Sequence, residues 1–542
     1  MRSLLTAVTR DRRAGLRERQ LERAMDTTAA SAGGGESAGR TQVRGSTLLL
    51  AGQAFAVLAN LVTQILIVRY LSKTDFAAFA YALSIAMIGE TVASFGLRRG
   101  VSRFLPVYEE HDDRRRAAGL LFFAVGVVGS IGLAVALIGI GLRSALSEPV
   151  AESDAAAVAL AILIVLAPVQ ALENLFDGVF AAFVRPRMIL LRRFVYTPLM
   201  RLAVASLVVL TAQGATLLAA GYLLTGVVGL VVYGALLLRV LRERHLLSGF
   251  RRPLVVPARE VLGFTVPLLT NDVTGTLLNA GTVVIIGVLA ATDDVASFRA
   301  VLPLSLTLTY VLTSFGTLFV PLASRLHARG ETTQLRDLYW QTAAWSAVLS
   351  FPVFALSFAF ARPLVTFLFG DAYAGSGAVL AALVVGHFVT AAIGPNGSLL
   401  AVHAQLRYIV VTNLIAIAMI IALMSALVPS FGALGAAIAS SATLIAVNVV
   451  RQVGLAARTS IGVLDRRIAW LYVFLAALTA ALVLVETLFR PPLAIGIGLV
   501  ALCTAAAVAR SRQTLRLGST FPELLALPGV AQIRRFQEGR RR

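Results

Sequence analysis

The residues of this chain that could do chemistry are the charged and polar side chains that fall inside or at the ends of long apolar runs. The first two runs hold Asn60, Gln64, Arg69 and Glu90, and Arg98, Arg99 and Arg103 follow at the end of the second. A later pair holds Asn271, Asp272, Asn279 and Arg299. Arginine presents a fixed fork of donors that suits phosphate and pyrophosphate. A carboxylate within an apolar run suits a cavity acid or a proton- or cation-coupled site, because a charge is costly there unless it works or is paired. Asp272 lies roughly 16 Å into its helix, near the midplane of a bilayer. Its alternative is a neutral, hydrogen-bonded aspartate between helices. Arg69 and Arg299 lie close to a surface, where snorkelling explains them as well as ligand binding does. For Arg98, Arg99 and Arg103, anchoring at a membrane face stands beside anion capture.

A further constellation sits in the fourth run. Gln170, Glu173, Asn174 and Asp177 are spaced i, i+3, i+4 and i+7 and form one polar stripe on a helix. Facing lipid it would be very costly, so it must face protein or water. With the fourth helix ending near Val184 and the fifth starting near Phe194, Asp177 and Arg201 fall at similar depth. The expectation is an intramembrane ion pair of Arg201 with Asp177 or, one turn deeper, Glu173.

Other chemistries find little support. Asp293-Asp294 is the one adjacent carboxylate pair on its side of the chain, and it opens a helix, where acids favour the positive dipole end. Glu148, Glu152 and Asp154 share a short loop and read as solvated acids. There is no GxxxxGK[ST] loop for a nucleotide phosphate. His111, His245, His327, His387 and His403 show no ligand spacing, and the single cysteine, Cys503, excludes an internal disulfide and a cysteine metal cluster. No catalytic site, metal or cofactor is expected.

The elements that must position these residues are membrane-spanning helices. The chain has 542 residues, 58% of them hydrophobic and 14% charged, with a mean hydropathy of +0.83. Apolar runs long enough to span a bilayer recur at roughly 46–70, 76–97, 117–142, 156–183, 194–212, 215–238, 261–290, 295–322, 338–361, 374–402, 408–428, 432–450, 468–488 and 492–509. The fold class is therefore an all-α polytopic membrane protein with about 14 transmembrane helices. The hairpin Leu48–Leu83 is echoed by Leu262–Val301, where Thr292-Asp293 answers Thr74-Asp75. This places two six-helix lobes in series, followed by two helices without a counterpart. The expected divisions are a basic tail at 1–44, an N-lobe at 45–245, a C-lobe at 246–457, two last helices at 458–510 and a basic tail at 511–542.

Net charge is +20, and it is laid out asymmetrically. Nearly all arginines fall in the tails and in loops such as 97–104, 114–116, 185–193, 242–252 and 458–467. The opposite loops hold only Arg69, Lys73, Arg143, Arg299, Arg362 and Arg490, with Arg201 inside a span. This bias puts both termini in the cytoplasm of a multi-pass plasma-membrane protein and leaves no basic surface that needs nucleic acid to explain it.

Several stretches resemble the polysaccharide and oligosaccharide flippases of the multidrug/oligosaccharidyl-lipid/polysaccharide (MOP) exporter superfamily. They are the first hairpin, FGLRRGVSRFLP at 95–106, and the region 368–448 with its LFGDAY, GPNG and PSFGALGAAIA segments in the family's order. The chain departs from the family at Asn279-Ala280-Gly281-Thr282, where a charged stretch is common, at Gly100, where an alanine is usual, and at Met424-Ser425, where Leu-Asn is usual. The resemblance implies a non-enzymatic transporter that works by alternating access. It would move a polyprenyl-pyrophosphate-linked oligosaccharide from the inner to the outer leaflet for surface glycan assembly. The cavity candidates are then Arg69, Glu90, Arg98, Arg99, Asp272 and Arg299. Expected partners are lipid-linked oligosaccharide and membrane lipids, with H+ or Na+ as candidate coupling ions and a polysaccharide polymerase or glycosyltransferases as candidate protein partners. A cation-coupled multidrug exporter or a peptidoglycan-precursor flippase of the same superfamily is the alternative. A membrane enzyme of polysaccharide assembly is disfavoured, since no loop is large enough to be a catalytic domain.

Overall fold

A computed structural model describes residues 52–148, 154–183, 185–212, 214–244, 246, 253–459 and 461–511. The basic tail at 1–44 and residues 512–542 of the second tail lie outside these residues, as do Glu152 and His245. Among the described residues every regular element is helical.

The N-lobe runs α1 (Gly52–Tyr70), α2 (Lys73–Ser94), α3 (Leu97–Glu110), α4 (Arg114–Gly141), the short α5 (Arg143–Ser147), α6 (Asp154–Ile164) and α7 (Leu166–Ala182). It closes with α8 (Pro186–Leu190), a π-helical turn (Leu191–Tyr196), α9 (Thr197–Thr211) and α10 (Ala215–Glu243). The C-lobe runs α11 (Ala258–Thr276), a second π-helical turn (Leu277–Gly281), α12 (Thr282–Leu289), α13 (Thr292–Ala328), α14 (Thr332–Ala359), α15 (Ala361–Phe369), α16 (Ser376–Ile393), α17 (Asn396–Val402) and α18 (Leu406–Arg458). Then come α19 (Arg466–Phe489) and α20 (Leu493–Arg510). Among the described residues thirteen continuous stretches are long and apolar enough to cross a membrane. One of them, the 53-residue α18, is two crossings joined, because Gly432 interrupts it with non-helical angles (φ 53°, ψ −133°). That restores the fourteen crossings expected from the sequence.

The stops are chemical. Ser72 caps α2 by accepting from the Asp75 amide at 3.1 Å, and Asp113 caps α4 by accepting from the Arg116 amide at 3.0 Å. Phe95 and Gly96 are both left-handed (φ 44° and 67°) and separate α2 from α3. Gly96 supplies that conformation without a Cβ, which would otherwise approach the Thr265 carbonyl of the other lobe.

Helix α7 is the hub of the N-lobe and packs on α2, α3, α4 and α10; α16 is the hub of the C-lobe and packs on α13, α14 and α18. Helices α19 and α20 pack on α14. The lobes meet where α2 packs on α12 and α13, and where α3 packs on α11. Large apolar side chains stand open on the outer wall, among them Leu210, Trp470 and Phe489 at 83%, 76% and 75% exposed. In water such a surface would be a liability; in hydrocarbon it is the required solvent contact.

Candidate functional site

Between the lobes lies a cavity of about 780 Å³. It is lined from α2 and α3 by Glu90, Arg98 and Arg99, from α7 by Asn174, from the first π turn by Arg193, and from α11 and α13 by Asn271, Asp272 and Arg299. Five of the six cavity residues expected from the sequence therefore converge. The sixth, Arg69, does not line this cavity; it stands exposed at the end of α1. It lies one residue before the helix end.

The two lobes touch across the cavity floor. Arg99 donates from Nη2 to Asp272 Oδ1 at 2.7 Å and from Nη1 to the Leu268 carbonyl at 3.0 Å. Thr91 and Thr276 hydroxyls meet at 2.7 Å, and Gly100 lies against Thr265 and Val261. Farther along the same seam the Tyr108 hydroxyl donates to Glu260 Oε2 at 3.0 Å. At the opposite side Gln64 Nε2 donates to the Arg299 carbonyl at 3.2 Å, tying α1 to α13.

The wall formed by α7 carries a polar chain. Asn174 donates to Glu90. With its amide nitrogen turned toward Glu90, Gln170 donates to Glu90 Oε2 at 3.1 Å and accepts from Arg201 Nη2 at 3.2 Å. Arg201 also lies over the Tyr222 ring, 4.9 Å from its centroid.

The expected ion pair forms with a different arginine. Arg192 Nη1 lies 2.9 Å from Glu173 Oε2, and Arg192 Nη2 lies 2.7 Å from Asp177 Oδ2. Tyr233 donates its hydroxyl to Asp177 Oδ1 at 2.7 Å. The two acids are only 5% and 3% exposed, so this bridge is what makes their burial tolerable. Among the described residues Arg201 forms no salt bridge. The reason is where the fifth span begins. The stretch 185–193 reads as a basic loop, but Pro186 starts α8, a position proline favours, and the helix continues through the π turn into α9. Arg192 is thus about six residues into its helix and Asp177 about five from the end of α7, roughly 8–9 Å each along the axes. Arg201 is carried about two and a half turns deeper, to the level of Gln170.

The Asp293-Asp294 pair also resolves into structural roles. Asp293 Oδ2 lies 3.4 Å from Lys73 Nζ, which stands over the Tyr373 ring at 5.3 Å. Burial and the nearby Asp293 push the Tyr373 hydroxyl above its ordinary pKa, so it stays neutral. Asp294 Oδ1 accepts from the Ala433 amide at 2.8 Å and so caps the second half of α18 just past the Gly432 break. His387 meets the Thr309 hydroxyl at 3.2 Å in the C-lobe interior. Among the described residues no group of three histidine, cysteine or carboxylate side chains could hold a metal.

Sequence reasoning passed over three residues: Arg192 and Arg193, assigned to a loop, and Arg451, counted with the basic flank of its span. Pro186 was the available signal for the first two. Arg451 has none, because its surroundings come from α11, α17 and the first half of α18.

A sequence profile of the polysaccharide biosynthesis protein family matches residues 42–327. The chain belongs to that family. Among curated proteins none matches this sequence significantly. Solved structures show the same fold for this polysaccharide biosynthesis protein. The lipid II flippase MurJ in an inward closed conformation matches with a TM-score of 0.67 at 12% identity, covering 86% of this chain and 99% of that one. A multidrug resistance MATE family transporter of the MOP superfamily, inward-facing, matches at 0.61 and 14%, covering 77% and 98%. A MOP superfamily transporter from Pyrococcus furiosus matches at 0.53 and 13%, covering 77% and 95%. The family member described here is thus a multi-pass membrane protein with the MOP transporter fold.

Proposed function

We propose that this protein is a non-enzymatic flippase that carries a polyprenyl-(pyro)phosphate-linked oligosaccharide from the inner to the outer leaflet by alternating access. The observation that carries the reading is the arginine surplus of the central cavity. Arg98, Arg99, Arg193 and Arg299 line it against Glu90 and Asp272, and Arg99 is already paired with Asp272. A cavity of that sign attracts a pyrophosphate and repels a cationic drug. Between hydrocarbon walls, a pyrophosphate needs such partners to cross at all. The lipid tail stays in the bilayer while the headgroup passes between the lobes.

Rocking about the α2–α13 and α3–α11 seams would expose the cavity first to one side and then to the other. The exposure of Arg98 and Arg193 supports a role for them in meeting the anionic headgroup. The arginine-rich loops support an orientation with both termini in the cytoplasm. Glycosyltransferases and a polymerase are the partners this reading calls for. Peptidoglycan precursor, another pyrophosphate-linked lipid, is the second substrate that the same surplus would admit.

The test is a depletion strain. Lipid-linked oligosaccharide should accumulate on the cytoplasmic leaflet, measured by its protection from an enzyme added outside intact cells, and a surface glycan should disappear. Accumulated peptidoglycan precursor and lysis would assign the second substrate. An unchanged glycan together with new sensitivity to cationic dyes would overturn the flippase reading.

A further inference from the structure

A second chamber of about 790 Å³ opens inside the C-lobe and adjoins the central cavity, with which it shares Arg99, Asn271 and Thr313. Its remaining polar lining comes from Thr270, Thr390, Asn396, Ser398, Asn448 and Arg451, and among the described residues no aspartate or glutamate lines it. The Gly394-Pro395 break between α16 and α17 forms part of its wall.

Arg451 gives the chamber its sign. Its Nη2 donates to Asn413 Oδ1 at 2.6 Å and its Nε faces Thr412 Oγ1 at 3.4 Å. Asn413 Nδ2 in turn reaches Thr270 Oγ1 of α11 at 3.4 Å. These neutral partners aim the guanidinium without cancelling its charge, and among the described residues Arg451 forms no salt bridge. On the side of Gly397, a Cβ at that position would lie 3.5 Å from Arg451 Nη1, so the missing side chain leaves the donor face open to the chamber. An oriented, half-buried guanidinium with only neutral neighbours lacks a counter-charge, and an oxyanion seated on its fork would supply one. The hydroxyl and amide groups around it suit sugar hydroxyls.

We propose that Arg451 anchors an oxyanion of the transported headgroup in this C-lobe chamber, apart from the anion met by the central-cavity arginines. The proposal rests on the flippase reading for its substrate. The oxyanion has two sources, an acidic sugar carboxylate on the glycan or the pyrophosphate of the carrier. The shared chemistry is a planar or tetrahedral oxyanion received by a guanidinium.

The experiment uses the full chain in lipid nanodiscs and reads thermal stabilisation by sodium glucuronate, by inorganic pyrophosphate and by glucose. Glucuronate or pyrophosphate should stabilise the protein where glucose does not. Arg451→Met should weaken that response roughly tenfold, the scale of one charge-assisted contact. Gly397→Leu, which keeps the arginine but fills the space before it, should do the same. Unliganded melting of each variant separates a misfolded chain from a lost site, and Arg451→Lys, which keeps charge without the fork, should respond in between. A response of glucuronate alone assigns the glycan's own acid; a response of pyrophosphate alone assigns the carrier. An oxyanion response that falls with Arg299→Gln but survives both Arg451→Met and Gly397→Leu would overturn the chamber site and leave the flippase reading standing. Arg451-dependent binding in a protein whose depletion alters no glycan would keep the site and overturn the flippase reading.

Discussion

Arg99 and Asp272 belong to different lobes, and their side chains meet at 2.7 Å across the floor of the central cavity. Each is about a third exposed, so the bond is worth little to folding, on the order of 1 kcal/mol or less. Its position gives it leverage on conformation instead, because it can exist only while α3 and α11 are together.

That leverage is measurable by cross-linking. In a Cys503→Ser background, Gly100→Cys and Thr265→Cys should form a disulfide, since a Cβ at Gly100 would already touch Thr265. Arg99→Gln or Asp272→Asn should lower the cross-linked fraction. The charge swap Arg99→Asp with Asp272→Arg should recover part of it. Cross-linking indifferent to all three changes would show that the pair does not hold the seam.

The buried triad makes the opposite kind of prediction. Arg192→Met leaves Glu173 and Asp177 facing each other without a counter-charge and should cost about 3–5 kcal/mol, seen as a large fall in melting temperature. Arg201→Met removes a hydrogen bond and a ring contact and should cost less. Equal losses from the two variants would contradict the assignment of the bridge to Arg192.

Asp293 and Asp294 are adjacent yet differ in role. Asp294→Ala removes the cap on Ala433 at a helix break and should destabilise by about 1 kcal/mol. Asp293→Ala loses an exposed salt bridge and should change stability by a few tenths of a kcal/mol. On the proposed flippase function, neither should abolish transport; loss of transport from Asp293→Asn with full stability would revive a catalytic reading of the pair.

The orientation proposed from the arginine bias can be tested by labelling. In the same cysteine-free background, Ser430→Cys, at an exposed position, should react with an impermeant maleimide added to intact cells. Arg187→Cys and Arg458→Cys should not. Labelling of Arg187→Cys from outside would invert the topology.

Much of this protein was legible one residue at a time. Hydrocarbon permits only helices or closed barrels, so apolar length alone returned the crossings, even the pair hidden in α18, where Pro429 and Gly432 mark the turn. The polar stripe on α7 was legible for a related reason: its spacing is a property of one helix, and its burial is forced by the cost of facing lipid. The convergence of Glu90, Arg98, Arg99, Asp272 and Arg299 could be suspected because each lies in or beside a span where a charge needs a reason. What spacing could not supply was the identity of partners. Arg192 rather than Arg201 reaches Asp177 because a proline begins α8 earlier than the apolar run does, and a π turn carries the helix on. Arg69, in the same kind of place as Arg299, stands exposed at the end of α1 and outside the cavity lining, while Arg299 is held in the cavity wall by α13. Arg451 became a candidate only when α11, α17 and both halves of α18 closed around it. Periodicity is local and is written in the chain; a charge's counter-charge is decided by which helices pack, and that is settled only in three dimensions.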